Sequence, residues 1–283
     1  MANKASVKQM KRQAENKARK AADNPWVERL ARLGYAAKGV VYATVGILAL
    51  QAALGRGGAT TGTQGALQTI ASQPLGTFLL AIVGVGLLGY ALWRFVEATV
   101  DPRNHGSDAQ GIAQRLGYAI RGALYVGLAL SAFRIVSGGG GGNGNATEDW
   151  TARVLAWPVG TWLVGLAGLV IIGAGFYEMY RAYSEEFRDE LKMGEMSHTE
   201  REWTMRLGKV GLVARGVVFA LTGLFLIQAV RHYSAEQAGG LDQALQTLAQ
   251  QPYGPWLLGI TALGLIAYSL FMFIEARYLR LDS

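Results

Sequence analysis

RLGYAAKGVVY at residues 32–42 is a motif that the chain uses three times. It returns as RLGYAIRGALY at residues 115–125 and, more loosely, as GLVARGVVF at residues 211–219. Each copy opens a long apolar segment and places one basic residue just inside that segment. A second apolar segment follows each copy and begins next to a proline. Self-similarity of this kind indicates repeated structural units, so the repeat organises the whole fold.

Six apolar segments are long enough to cross a membrane. The chain has 283 residues, of which 51% are hydrophobic and 38 are glycine. Such a composition is typical of membrane bundles, in which small residues let helices approach closely. A bilayer core takes about 20 residues of helix, and these segments lack the alternation of barrel strands. We therefore predict an all-α polytopic membrane protein with six transmembrane helices, near residues 34–54, 77–97, 117–137, 159–180, 210–230 and 255–276.

The six predicted helices pair into three hairpins, each with an outgoing helix, an outer linker, a proline and a returning helix. The prolines fit the first turn of the returning helices, where a missing N–H costs little. The matching stretches LQTIA at 67–71 and LQTLA at 245–249 predict a short amphipathic helix in the outer linker. The second repeat keeps this position but not these residues, and it inserts a glycine-rich run at residues 137–144, which predicts a flexible linker and not a phosphate-binding loop.

All three repeats share one orientation because each holds two spans. Parallel repeats are related by an axis along the membrane normal. We expect a pseudo-threefold arrangement, with a row of hairpins as the alternative. The predicted organisation is a basic tail at residues 1–25, repeat 1 at 26–101, repeat 2 at 108–183, a charged linker with an interfacial helix at 184–208, and repeat 3 at 209–283.

The basic residues are concentrated on one side of the predicted membrane. Of 27 Lys and Arg residues, four lie on the side of the first, third and fifth loops: Arg56, Arg134, Arg153 and Arg231. The positive-inside rule places the other side, with both termini, in the cytoplasm, and predicts a multi-pass protein of the inner membrane. A long basic stretch precedes the first apolar segment, so we expect a retained helix and not a signal peptide.

The N-terminal tail is the most basic part of the chain. Residues 1–24 carry a net charge of +5 out of the chain's +7. We interpret the tail as a solvated topology signal; a peripheral helix on anionic membrane lipid is the alternative, worth about 1 kcal/mol per basic residue. No aromatic residue interleaves the charges, so we expect no nucleic-acid partner. Membrane lipids and a membrane-protein partner are the expected contacts.

No residue set predicts catalysis or a cofactor. The chain has no cysteine, which excludes a thiolate metal site and a thiol nucleophile. Its three histidines fall in predicted loops without ligand spacing: His105, His198 and His232. No constellation of His or Ser indicates an active site, so we expect neither an enzyme nor a bound metal or cofactor.

Charged residues recur near the inner end of every hairpin. The cations share one repeat position, about a turn inside the outgoing helices: Lys38, Arg121 and Arg215. The carboxylates lie near the inner ends of the returning helices: Glu97, Glu178 and Glu275. Each of these charges opposes the dipole of its own helix, so pairing them would offset the cost. We predict the ion pairs Lys38–Glu97, Arg121–Glu178 and Arg215–Glu275, within a repeat or across a repeat boundary.

These predicted charge pairs have two interpretations. Charges inside a membrane segment mark a candidate site for an ion or polar solute. They can also form a structural clasp near the interface, with the basic side chains snorkelling. Repetition in three hairpins favours the clasp, because every hairpin needs a clasp. Rows of small residues, such as Gly39, Ala43 and Gly46, are interpreted as helix-packing seams.

Three motifs together resemble a known family. They are basic-Gly-x-x-aromatic in the outgoing helix, Gln-Pro-x-Gly before the returning helix, and Glu-Ala at its end. They are similar to a bacterial membrane family known as domain of unknown function 1206, which usually has three tandem two-helix copies. The resemblance covers residues 26–280, although the second copy lacks the Gln before Pro158 and shifts its carboxylate. It implies a six-helix inner-membrane protein and carries over no catalytic residues.

The sequence therefore favours a non-enzymatic integral membrane protein with a structural, assembly or interaction role. A small-solute or ion transporter or channel that uses the pseudo-threefold axis is the alternative.

Overall fold

A computed structural model describes residues 25–100, 108–139 and 146–280 of the chain. The basic tail and most of the glycine-rich run, with the predictions made for them, lie outside these residues. Within the described ranges the chain forms nine α-helices: α1 Pro25–Ala53, α2 Thr63–Ala71, α3 Gly76–Val100, α4 Ala109–Val136, α5 Ala146–Leu155, α6 Gly160–Ser184, α7 His198–His232, α8 Leu241–Ala249 and α9 Gly254–Tyr278.

Six of these helices, α1, α3, α4, α6, α7 and α9, have the length and composition of membrane spans. This confirms the predicted all-α, multi-pass fold. Large apolar side chains remain exposed on the outside of the bundle, as lipid requires. Exposed tryptophans mark both helix ends, with Trp26 and Trp203 at one end and Trp162 and Trp256 at the other.

The predicted outer helices are present as α2 and α8, but the prolines occupy a different place from the one predicted. α3 begins at Gly76, two residues after Pro74. The N–H of Gly76 donates to the carbonyl of Gln73 at 2.7 Å, so the proline takes the second position of a β-turn, which suits its fixed φ. Pro158 and Pro252 precede their helices in the same way. A Cβ on Gly76 would collide with carbonyl oxygens at the end of α2, which explains the Pro-x-Gly spacing.

The interfacial helix predicted within residues 184–208 is not a separate element. α7 runs without a break from the interface into the membrane, as α1 does in the first repeat. A capping box starts α7: Ser197 accepts from the backbone of Glu200, and the Glu200 carboxylate accepts from the backbone of Ser197. The helix then continues because no proline interrupts the sequence that follows.

The six long helices form an incomplete ring. Within the described residues the packed neighbours are α1–α3, α3–α4, α6–α7, α7–α9 and α9–α1. The most extensive contacts cross repeat boundaries, since each returning helix packs on the outgoing helix of the next repeat. The contact of α9 with α1 joins the third repeat to the first, where Ser269 donates to the carbonyl of Gly39 at 2.8 Å. This closure agrees with the pseudo-threefold arrangement, because a row would leave these repeats apart.

Glycines make the cross-boundary contacts close. A Cβ on Gly175 of α6 would lie 2.6 Å from the carbonyl oxygen of Gly216 on α7, and the reverse holds at the same distance. Gly168 and Gly223 face each other in the same way. Between α1 and α9, Gly39 receives the ring of Phe273. These glycine rows are packing seams, as predicted.

The charged linker between repeats 2 and 3 folds across the inner ends of α7 and α9. It contains two 3₁₀ turns, Glu186–Glu190 and Met193–Glu195. Leu191 forms an antiparallel bridge with Leu279. Phe187 is fully buried, and its ring packs edge-on against Phe271 at 5.3 Å. The linker therefore covers part of the inner face of the bundle.

Candidate functional site

Charged side chains are buried at the inner end of the ring. Those that the structure buries are Lys38, Arg94, Glu97, Glu178, Arg215 and Glu275. Five of these six belong to the predicted charge set, and Arg121, the sixth member of that set, has a side chain that is 24% exposed. The cluster is the candidate functional site.

Glu178 is held by three guanidinium groups. Its Oε1 accepts from Nη1 of Arg215 at 3.0 Å and from Nη2 of Arg121 at 3.3 Å. Its Oε2 lies 3.5 Å from Nη1 of Arg181. The other terminal nitrogen of Arg181, Nη2, lies 2.8 Å from Oε1 of Glu190. The structure thus brings together Arg121 and Glu178, as the sequence predicts, and adds two further cations to the same carboxylate.

The expected pair Arg215–Glu275 is not present. Arg215 pairs with Glu178 across the repeat boundary, because the glycine contacts between α6 and α7 bring these side chains together. Glu275 is 3% exposed and makes no direct ion pair with the described residues.

The expected pair Lys38–Glu97 is also not present. Glu97 binds Arg94, whose Nη1 lies 2.6 Å from its Oε2. These two residues are one turn apart on α3, so they meet without reaching across to another helix. Arg94 also donates to the hydroxyls of Tyr90 and Tyr35, each at 2.8 Å. The i, i+3 spacing of Arg94 and Glu97 was the signal that could have found this pair.

Lys38 lies among aromatic rings. Its Nζ donates to the hydroxyl of Tyr90 at 3.4 Å. It lies 4.9 Å from the ring centre of Tyr90, 5.1 Å from that of Tyr268 and 5.8 Å from that of Tyr125. The negative faces of such rings attract a desolvated cation, so three tyrosines do for Lys38 what the expected carboxylate would have done.

The returning helices, compared at equal distances from their prolines, explain the different pairings. The position 20 residues after the proline holds Arg94, Glu178 or Met272. The position 23 residues after it holds Glu97, Arg181 or Glu275. Repeats 1 and 2 therefore carry the same i, i+3 pair with its charges exchanged. The exchange puts the carboxylate of the second repeat one turn deeper, at the level of Arg121 and Arg215.

A second sequence difference explains why the two helices of the second repeat do not pack on each other. The position 16 residues after the proline holds Tyr90, Ala174 or Tyr268. Tyr90 packs on Gly34 of α1, and Tyr268 packs on Gly211, the matching glycine of α7. Gly117, the matching glycine of α4, has nothing within 4 Å, and the same is true of Gly173 on α6.

The space between α4 and α6 is therefore not filled by residues 25–100, 108–139 or 146–280. We call it the open seam and define it by Gly117 and Arg121 on α4 and by Gly173, Ala174 and Glu178 on α6. Within the described residues, α4 and α6 meet at the Arg121–Glu178 pair but do not pack along their length. Only 17% of the α4 span and 22% of the α6 span are buried, against 44–56% for the other four spans.

Tyrosine rings and Lys38 fill the inner end of the ring. Tyr42 packs edge-on against Tyr268 at 4.9 Å, and Tyr90 packs against Tyr125 at 4.5 Å. Among the described residues no group of three His, Asp or Glu side chains could hold a metal ion. A cavity of about 630 Å³ lies in the linker, lined by residues 184–195 in part and by Arg280, away from these buried charges. The arrangement holds charges in place through contacts with one another and with tyrosines.

Comparisons with known proteins agree with this architecture. A family model described as Domain of Unknown Function (DUF1206) matches the chain at residues 33–101, 116–185 and 210–279. The chain is 37% identical over 254 residues to "Uncharacterized protein YxxB" of Bacillus subtilis (strain 168), which covers 90% of this chain and 92% of that protein. No solved structure matches the chain.

Proposed function

The chain belongs to the family described as Domain of Unknown Function (DUF1206), and from this premise we propose a non-enzymatic integral membrane protein with a structural or assembly role. One observation carries the proposal: within the described residues, five of the six buried charges at the inner end of the ring, all except Glu275, are bound to one another or to tyrosines. Side chains that move an ion or solute need room and exchangeable partners.

The contacts of the cluster leave little such freedom. The guanidinium nitrogens of Arg94 donate hydrogen bonds to Glu97, Tyr90 and Tyr35, at distances of 2.6 to 2.8 Å. Lys38 is 2% exposed and is surrounded by tyrosine rings. The linker covers part of the same end of the bundle through Phe187. We infer that this network is a clasp that fixes the repeats around the axis.

The proposed location is the inner membrane, with both termini in the cytoplasm. Basic residues of the described segments support this orientation. The inner helix ends and the linker carry most of them, while the opposite ends carry Arg56, Arg134, Arg153 and Arg231. The positive-inside rule then assigns the linker to the cytoplasm. Protease protection of an epitope inserted in the linker, measured in inverted and right-side-out vesicles, tests this assignment.

A flux measurement tests the proposed role. The full chain is reconstituted in proteoliposomes, and the leak of protons, potassium and small polar solutes is compared with that of empty liposomes. We expect no difference. Flux that is lost in Glu97→Gln or Lys38→Gln, with insertion and stability unchanged, would instead identify a transporter that uses the axis.

A second measurement addresses assembly. Extraction of native membrane patches without detergent, followed by mass measurement, is expected to give a complex larger than the 30.4 kDa chain. A monomer in such patches would contradict the assembly role.

A further inference from the structure

The open seam faces the lipid, and nothing in the described chain fills it. Gly117 and Gly173 have no neighbour within 4 Å at the place where a side chain would begin. Exposed leucines flank it on α4, with Leu116 59% and Leu124 67% accessible. A ligand that enters from the side would meet apolar walls and, at their inner end, the Arg121–Glu178 pair.

The charges of the buried cluster do not balance. Within the described residues its cations are Lys38, Arg94, Arg121, Arg181 and Arg215 and its carboxylates are Glu97, Glu178, Glu190 and Glu275, which leaves one positive charge in excess. Arg215 is only 6% exposed, and its buried Nε atom has no hydrogen-bond partner among the described residues. Excess positive charge in a buried cluster is costly, so a bound anion would stabilise this arrangement.

The depth of this charge excess matches a lipid headgroup. Glu178 lies six residues before the end of α6 at Ser184, which corresponds to about 9 Å along the helix. The side chain of Arg121 is partly exposed and long enough to extend toward the interface. The linker contact between Arg181 and Glu190 lies on the aqueous side, so the open approach to Arg121 is from the bilayer.

We propose that the open seam binds an anionic phospholipid of the inner leaflet, with its phosphate on Arg121 and Arg215 and an acyl chain beside Gly117 and Gly173. The guanidinium groups supply charge-assisted hydrogen bonds to the phosphate oxygens. The seam supplies the apolar surface. This site goes beyond the proposed clasp role and does not depend on the outcome of the flux measurement.

Binding is tested with the full chain in phosphatidylcholine nanodiscs that contain increasing amounts of phosphatidylglycerol. The fraction of spin-labelled phosphatidylglycerol held immobile by the protein is measured. We expect Arg121→Gln to weaken this binding about tenfold, as the loss of one charge-assisted hydrogen bond predicts. Gly117→Leu fills the seam without changing charge and is expected to weaken it by at least as much.

Two matched variants on α4 serve as controls. Arg134→Gln removes a cation at the opposite end of the helix, and Gly127→Leu fills a second open glycine that lies away from the charges. Both are expected to retain binding. Equal binding by the wild type, Arg121→Gln and Gly117→Leu would overturn the proposal.

Two further outcomes would identify a different occupant. If inorganic phosphate displaces the lipid at millimolar concentration, and Gly117→Leu leaves binding of both unchanged, the site takes a soluble anion and the lipid proposal fails. If the protein is a dimer in nanodiscs and Gly117→Leu makes it a monomer, a second copy fills the seam and the lipid proposal fails as well.

Discussion

In the first and third repeats the outgoing and returning helices pack on each other, and in the second repeat they do not. A tyrosine on a glycine fills the first and third hairpins, as Tyr90 on Gly34 and Tyr268 on Gly211. The second hairpin has Ala174 where the tyrosine would be, and Gly117 faces empty space. The comparison teaches that the two closed hairpins share a tyrosine–glycine contact that the open hairpin lacks.

The second repeat is nevertheless held in place, by its neighbours. α4 packs on α3 through Gly122, which meets the ring of Phe95, and α6 packs on α7 through paired glycines. Glu178 adds charge contacts to both sides of the opening. Contacts across the repeat boundaries are therefore more extensive in this fold than contacts within a hairpin.

The largest effect is expected from Glu178→Gln. The change leaves three guanidinium groups without their shared carboxylate, and breaking a buried ion pair costs about 3–5 kcal/mol. Glu275→Gln is the matched control in the third repeat, since Glu275 has no direct ion pair with the described residues. The free energy of unfolding in mixed micelles is measured for both variants. Equal losses would mean that the second repeat does not depend on its charge network.

An intermediate effect is expected from glycine substitutions that compare the closed and open hairpins directly. A Cβ on Gly211 would lie 2.5 Å from the backbone of Tyr268, so Gly211→Ala is expected to cost about 1–3 kcal/mol. A Cβ on Gly117 would have no described atom within 4 Å. Gly117→Ala is therefore expected to be neutral or to stabilise the helix by up to about 1 kcal/mol. Thermal unfolding in one lipid mixture distinguishes the two. A destabilised Gly117→Ala would show that the seam is closed in the membrane.

A smaller effect is expected from Lys38→Met. Lys38 binds tyrosine rings and has no direct carboxylate partner among the described residues. The cation–π attraction that is lost is therefore offset by the avoided burial of a charge. We expect a stability change within about 1 kcal/mol. Arg215→Met, at the same repeat position, removes a direct partner of Glu178 and is expected to cost more. A larger loss of stability in Lys38→Met than in Arg215→Met would contradict the partners assigned to Lys38 and Arg215.

The smallest effect is expected at the rim of the second repeat, where α6 ends. A hydrogen bond from Lys209 lowers the pKa of the Glu185 carboxyl below its ordinary value of 4.5. The favourable contribution of this pair is therefore present above pH 4.5 and is lost as the pH falls through the lowered pKa. Stability measured between pH 6 and pH 3 is expected to fall slightly less in Lys209→Met than in the wild type. Identical pH profiles of the wild type and Lys209→Met would show that the Lys209–Glu185 contact does not contribute to stability.

The elements of the fold were predictable because their signals are local. Residues such as Pro74 and Ser197 mark where helices begin through turn and capping chemistry that involves only their near neighbours. The repeat itself predicted the number of spans and their common orientation. Local signals do not fix the exact first residue of a helix. The prolines were expected inside the first turn of the returning helices, and they lie just before it.

The partners of the buried charges were not all predictable. Arg121 and Glu178 meet as expected, whereas Lys38, Arg215 and Glu275 do not have their expected partners. Of the three expected pairs, Arg121–Glu178 forms, and it lies in the hairpin whose helices do not pack along their length, so packing within a hairpin does not decide the pairing. Arg215 meets Glu178 across a repeat boundary, where paired glycines bring α6 against α7. The Arg94–Glu97 pair is the exception, because its i, i+3 spacing is visible in the sequence.

By itself the sequence determined an all-α membrane protein of three repeated hairpins, because apolar length, periodicity and turn chemistry are properties of contiguous residues. The tertiary structure decided which cation meets which carboxylate and where the ring stays open. Those outcomes depend on the distance between helices, and that distance is fixed by side chains far apart in the chain, such as Gly175 against Gly216 and Tyr268 against Gly211.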